Sequence, residues 1–92
     1  MAYIYILSNR RRTSFYIGVT NNLQRRIYEH KVNKVAGYSN KYLLKELVYF
    51  EEYDSIKDAI KREKQLKNWH RQWKINLIKF KNPQLIDLAN NW

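Results

Sequence analysis

Two runs of β-branched and aromatic residues, YIYIL at residues 3–7 and FYIGV at residues 15–19, are separated by the polar stretch SNRRRTS. Runs of this composition read as strands, and the polar stretch reads as a turn. The pair is therefore a hairpin, and the chain is committed to a sheet from its first residues. Side chains alternate across a strand. Tyr3 and Tyr5 share one face of the first strand, and Ile4 and Ile6 share the other. In the second strand, Tyr16 and Gly18 oppose Ile17 and Val19. The aliphatic side requires a core. Gly18 leaves a gap beside Tyr16 where a helix or a phosphate can approach.

The remaining pattern is mostly helical. TNNLQRRIYEHK starts a helix with Asn21 or Asn22 as N-cap. VNKVAGYSNKY reads as a loop around Gly37, and KELVYFEEY as a third strand. DSIKDAIKREKQLKNW is a helix, with Ser55 and Asp58 in capping spacing. RQWKINLIKF is another. NPQLIDLAN reads as a short closing helix, with Asn82 as cap and Pro83 in its first turn. The order β-β-α-β-α-α-α is an α+β fold, a three-stranded sheet flanked by helices.

Ninety-two residues are enough for one small domain, expected to span residues 1–92. The core is thin, and eight Tyr, three Trp and three Phe help to fill it. Without cysteine there is no disulfide and no Cys-based zinc site. The apolar runs are too short to span a membrane. The N-terminus runs straight into a strand pattern, so no signal peptide is expected and the cytoplasm is the default location. Eighteen Lys and Arg against eight acids give a formal charge of +10, which attracts polyanions, nucleic acid first among them. No basic helix carries a clean apolar face for lipid.

Several residues are candidates for chemistry. Tyr5 and Tyr16 are either ordinary half-buried strand residues or phenols aimed at one surface. Arg26 and His30 are four apart and share a helical face beside the apolar stripe of Leu23 and Ile27. A guanidinium suits bidentate phosphate contact, and a histidine exchanges protons near neutral pH. Their bland alternative is a solvated Arg and a helix-terminal His. The sharpest signal is Glu63, which interrupts the stripe of Ile56, Ala59, Ile60 and Leu66. A carboxylate on a core-facing stripe is costly unless it is paired or binds a cation. Lys67, one turn on, offers an ion pair. The other possibility is a single hard-metal ligand, with water and substrate phosphate completing the octahedron of Mg²⁺.

Taken together, YIY at residues 3–5, YIG at 16–18, TNNLQRRIYEH at 20–30 and AIKREKQLKNW at 59–69 resemble the GIY-YIG nuclease superfamily. The chain is similar in particular to its small stand-alone bacterial members. The superfamily also supplies the nuclease module of a DNA-repair subunit and of some homing and restriction endonucleases. The resemblance runs from Tyr3 to about Asn76. It implies that Tyr5 or Tyr16 helps to deprotonate the attacking water. Arg26 would hold the scissile phosphate, and His30 would assist proton transfer. Glu63 would bind one divalent metal, Mg²⁺ or Mn²⁺. Asn76 lies near the position of an active-site asparagine in several relatives. The first tripeptide begins with Tyr3 rather than Gly, a position without a chemical role. No added DNA-binding domain accompanies the nuclease pattern.

The expected activity is metal-dependent hydrolysis of phosphodiester bonds in nucleic acid, with DNA favoured over RNA. No obligate protein partner and no membrane are expected. The alternative is a basic binding module whose site is a relic. Arg10, Arg11 and Arg12 on the hairpin turn, and Lys61, Arg62, Lys64, Lys67 and Arg71 further on, would grip the backbone without choosing sequence. Core packing is the expected role of Trp69 and Trp73, and stacking on an unpaired base is the alternative.

Overall fold

The computed structural model describes residues 1–32 and 43–92. The loop expected around Gly37 lies outside the described residues. Strands β1 (Ala2–Ser8), β2 (Phe15–Thr20) and β3 (Glu46–Tyr53) form one sheet in the order β2-β1-β3. The central strand β1 is antiparallel to both neighbours. Helices α1 (Leu23–Lys31), α2 (Ile56–Lys67) and α3 (Arg71–Lys81) complete the α+β fold.

Local chemistry sets the helix starts. The Asn22 side chain caps α1 by accepting from the Arg25 N–H at 3.1 Å. Ser55 Oγ caps α2 by accepting from the Lys57 N–H at 3.1 Å. Basic residues close all three helices, against the negative end of the dipole.

Strand alternation produces two cores, one on each face of the sheet. Ile4, Ile6, Ile17 and Val48 pack with Ala59 and Leu66 of α2 and Ile78 of α3. On the other face, Tyr5, Leu7 and Leu47 pack with Leu23 and Ile27 of α1 and with Leu44 and Ala89. The register pairs Tyr5 with Gly18 across β1 and β2. Between β1 and β3, Ile6 pairs with Tyr49 but Leu7 with Leu47, so Val48 is the extra residue of a bulge.

The bulge explains why the closing segment is not the helix its composition suggests. The Asn82 side chain is buried and donates to the Val48 carbonyl at 2.9 Å, instead of merely capping a turn. Its Oδ1 accepts from Ile86 N at 3.1 Å. Asp87 Oδ1 accepts from Leu47 N at 3.1 Å, and Leu88 N donates to Leu47 O at 2.7 Å. Leu85 sits at φ 49, a left-handed conformation that a helix interior does not hold. Residues 82–92 thus run as turns that satisfy the outer edge of β3.

The hairpin turn is similarly specific. Arg12 adopts φ 61, and its N–H donates to Asn9 O at 3.1 Å. Among the described residues no helix is long and apolar enough to cross a membrane.

Candidate active site

The Tyr5 side chain crosses Gly18, its register partner. A Cβ at Gly18 would overlap the phenol's Cζ and Oη and stand 2.9 Å from Cε1. The gap read beside Tyr16 is therefore filled by the Tyr5 ring, not left for a helix or a phosphate. Lying in that gap, Tyr5 is fully buried, and its hydroxyl reaches His30 Nε2 at 3.2 Å. Tyr16, half-buried, completes a triangle of rings. Its centroid lies 6.3 Å from Tyr5 and 5.9 Å from His30, and Tyr5 and His30 are also 5.9 Å apart.

Charges converge on the same phenol. Burial pushes the Tyr5 pKa up, and the neighbouring Tyr16 adds to this. Arg26 stands beside the Tyr5 hydroxyl, and its charge and hydrogen bonding pull the other way. Burial prevails, and the value reaches about 12. Glu63, from the opposite side of the sheet, is near enough for its charge to raise Tyr5 further. Burial holds the His30 pKa below its usual value, and Arg26 lowers it again. His30 is thus neutral at pH 7. In the tautomer with its proton on Nδ1, Nε2 accepts from the Tyr5 hydroxyl.

Two strands and one helix therefore bring Tyr5, Tyr16, His30 and Arg26 together, and Glu63 on α2 lies within electrostatic reach of Tyr5. Arg26 also pairs with Glu29 at 3.4 Å. The Glu63 carboxylate, 16% exposed, pairs with Lys67 at 3.3 Å, the ordinary ion pair its spacing allowed. Asn76 is exposed on α3, where its Oδ1 accepts from Gln72 at 3.0 Å. Its partner there lies on its own helix.

The candidate backbone contacts divide. Arg10, Arg11 and Lys64 are exposed. Arg12 is turned inward: it donates to Leu85 O at 2.9 Å, Asn9 O at 2.7 Å and Glu46 Oε1 at 2.7 Å. It clamps the hairpin turn to β3 and the tail, a structural role in place of the nucleic-acid contact expected of it. Arg71 lies over the Phe15 ring at 5.5 Å. Arg62 is also held inward, by Glu51. Trp69 packs against the core as expected, but Trp73 is 54% exposed.

Sequence reasoning passed over Glu51. Its carboxylate accepts from the Tyr49 and Tyr53 hydroxyls and from Arg62 Nε at 3.0 Å and Nη2 at 3.1 Å. Burial alone would raise its pKa, but these bonds outweigh burial and lower it. Burial and the Glu51 charge raise the Tyr53 phenol to about 12. The signal was present in the alternation of Tyr49, Glu51 and Tyr53, which puts an acid on the apolar face of β3.

A hairpin with a tyrosine on each strand, an Arg–His helix and a Glu helix packed on a three-stranded sheet define the class of this α+β domain. The sequence pattern of the GIY-YIG catalytic domain matches residues 1–76, and the chain belongs to that family. Its relatives are small proteins of similar length. It is 39% identical over 83 residues to the UPF0213 protein of Syntrophus aciditrophicus, covering 89% of this chain and 93% of that one. It is 37% identical over 76 residues to a UPF0213 protein of Natronomonas pharaonis, covering 83% and 88%. The solution NMR structure of a UPF0213 protein from Bacillus halodurans superposes with a TM-score of 0.59 at 30% identity, covering 91% and 89%.

Proposed function

We propose that this chain, acting as one domain over residues 1–92, is a metal-dependent endonuclease hydrolysing phosphodiester bonds in DNA. The observation that carries the reading is the convergence of Arg26 and His30 on the Tyr5–Tyr16 pair, with Glu63 within electrostatic reach of Tyr5. Basic groups at Arg10, Arg11 and Lys64 are placed to hold the phosphate backbone.

Tyr5 is sealed from solvent and Tyr16 is half-buried, so Tyr16 is the phenol that meets the attacking water. A phenol with an ordinary pKa of about 10 is a poor base at pH 7. His30, held neutral, is the group to which a phenolic proton passes, through the Tyr5 hydroxyl it already contacts. Arg26 faces the phosphate and neutralises charge that develops on the phosphorane. Asn76 would act here only if substrate draws it in.

Among the described residues, no group of three or more His, Asp or Glu could cage a metal. Glu63 offers one hard carboxylate, which fits a cation that keeps several waters and takes its other oxygens from phosphate, as Mg²⁺ does. Glu63 would hold Mg²⁺ or Mn²⁺. When bound, the ion supplies Lewis-acid stabilisation of the leaving 3′ oxygen.

The test is Glu63→Gln, assayed on plasmid, branched and single-stranded substrates with and without Mg²⁺ or Mn²⁺. The variant keeps its fold and its affinity for nucleic acid but loses cleavage by orders of magnitude. Wild-type cleavage rates in a folded Glu63→Gln protein would falsify the assignment. The second reading is binding without cleavage, and the observation behind it is that the Glu63 carboxylate is already paired with Lys67 at 3.3 Å. Wild-type protein that binds every substrate and cuts none with either metal decides for that reading.

A further inference from the structure

Helix α3 buries Ile78 in the core, yet it leaves two large aromatic side chains in solvent. Trp73 is 54% exposed and Phe80 is 83% exposed. They are seven residues apart, close to two full turns, so both stand on one face of the helix. Their separation along the axis is about 10.5 Å. Exposed Asn76 lies between them. Core packing accounts for Ile78 and for half-buried Trp69, but it does not account for an indole and a phenyl ring in water. Aromatics gathered on one exposed face mark a surface that a partner covers.

The chemistry around them selects the partner. The helix carries Arg71, Lys74, Lys79 and Lys81 and no acid. A helix of this charge attracts a polyanion. A second copy of the chain, itself at +10, is repelled. Trp73 is braced edge-on by His70 at 5.1 Å and by Trp69 at 6.0 Å, and Arg62 is held over Trp69 at 5.3 Å. The indole is therefore oriented before anything binds, which reduces the ordering cost of binding. The helix also starts against the edge strand that carries Tyr16, on the other face of the sheet. Arg71 covers Phe15, and Phe15 immediately precedes Tyr16 on the edge strand β2.

We propose that this face of α3 is a stacking platform for unpaired bases, with Trp73 and Phe80 each taking one base of a single-stranded segment. Aromatic rings stack on any base, and the cations track the backbone. The two rings are about three stacked-base rises apart, at about 3.4 Å each, so they engage one short stretch of strand. A continuous duplex keeps its base faces inside the stack and offers them nothing. The inference rests on nucleic acid being the partner, as above, and specifies its form: a single strand, or a junction or flap with unpaired bases beside the cut.

The experiment measures binding of fluorescent oligo-dT of about a dozen nucleotides, and of a duplex of the same length, in EDTA so that no metal-dependent cleavage intervenes. Trp73→Ala and Phe80→Ala each weaken oligo-dT binding by about 5- to 100-fold. They leave duplex affinity within about twofold, and the slope of log K against log salt does not change, because no phosphate contact is removed. Trp73→Phe keeps most of the affinity. Circular dichroism of each variant matches wild type, since both positions are exposed. Unchanged oligo-dT binding in the double variant overturns the proposal. So does an equal loss on single strand and duplex, or a wild-type dimer in sedimentation that the double variant dissociates. Aromatic-dependent binding of oligo-dT without cleavage under any metal leaves the platform standing and removes the nuclease reading. Cleavage with no effect of either aromatic does the reverse.

Discussion

Glu51 on β3 and Arg62 on α2 form a two-pronged ion pair at 3.0 and 3.1 Å, one residue before Glu63. A fork of this geometry fixes rotation as well as distance. With Arg62 turned toward β3, the next residue on α2 projects about 100° around the helix, where Glu63 influences the Tyr5 phenol. The pair orients the helix that carries the candidate metal ligand.

Glu51→Gln is therefore expected to destabilise the fold by about 1–3 kcal/mol, measured by urea unfolding. The loss is smaller than for a fully buried pair, because Arg62 keeps some contact with water. The same variant should need more Mg²⁺ for half-maximal cleavage. A purely structural pair would change the unfolding midpoint and leave the metal requirement alone.

The pH dependence follows from two groups with lowered values. Glu51 titrates below its ordinary pKa of about 4.3, so its contribution is present above that pH and is lost as pH falls through the folded-state value. His30 is lowered from about 6.5, so its contribution is present above pH 6.5 and is lost as pH falls below. Urea midpoints should decline in two stages on acidification. His30→Gln should remove the upper stage, and Glu51→Gln the lower.

Gly18→Ala is expected to cost about 1–3 kcal/mol, the usual penalty of overpacking, because the new methyl meets the Tyr5 ring. Combining it with Tyr5→Leu should cost less than the sum of the two changes. Additive unfolding energies would show that the ring does not occupy that gap.

The arginines of the hairpin turn should separate cleanly. Arg10→Ala and Arg11→Ala are expected to flatten the salt dependence of nucleic-acid binding by up to about 0.9 each, with little change in stability. Arg12→Ala should leave the slope unchanged and lower stability by about 1–3 kcal/mol, since the guanidinium's bonds to Leu85, Asn9, Arg10 and Glu46 are lost. Salt titrations and urea curves on the three variants check this.

Tyr16→Phe should reduce cleavage by about 10²- to 10⁴-fold, the loss expected of a general base. Tyr5→Phe should cost about tenfold and shift the acid limb of the pH–rate profile, which His30 sets. Equal rates for Tyr16→Phe and wild type would move the water to another group.

The hairpin, an asparagine cap on α1 at Asn21 or Asn22, the cap at Ser55 and the aromatic face of β1 and β2 were all legible in the sequence. Each depends on alternation, or on partners within a few residues. The spacing of Glu63 and Lys67 was legible too, and the two form the ion pair it allowed. The tail was not. Asn82 and Asp87 look like turn and cap residues, but their partners are the backbone groups of Val48 and Leu47 on β3. Arg12 looks like a surface cation until Glu46 and Leu85, 34 and 73 residues away, come within hydrogen-bonding distance. Gly18 reads as open space until Tyr5 lies across it. A bulge and a sheet edge leave backbone groups that must find partners, and folding decides which side chains supply them. Local pattern determined the elements and the residue types of the site. Tertiary structure decided which charges face inward, which phenol is sealed, and which aromatics remain in water.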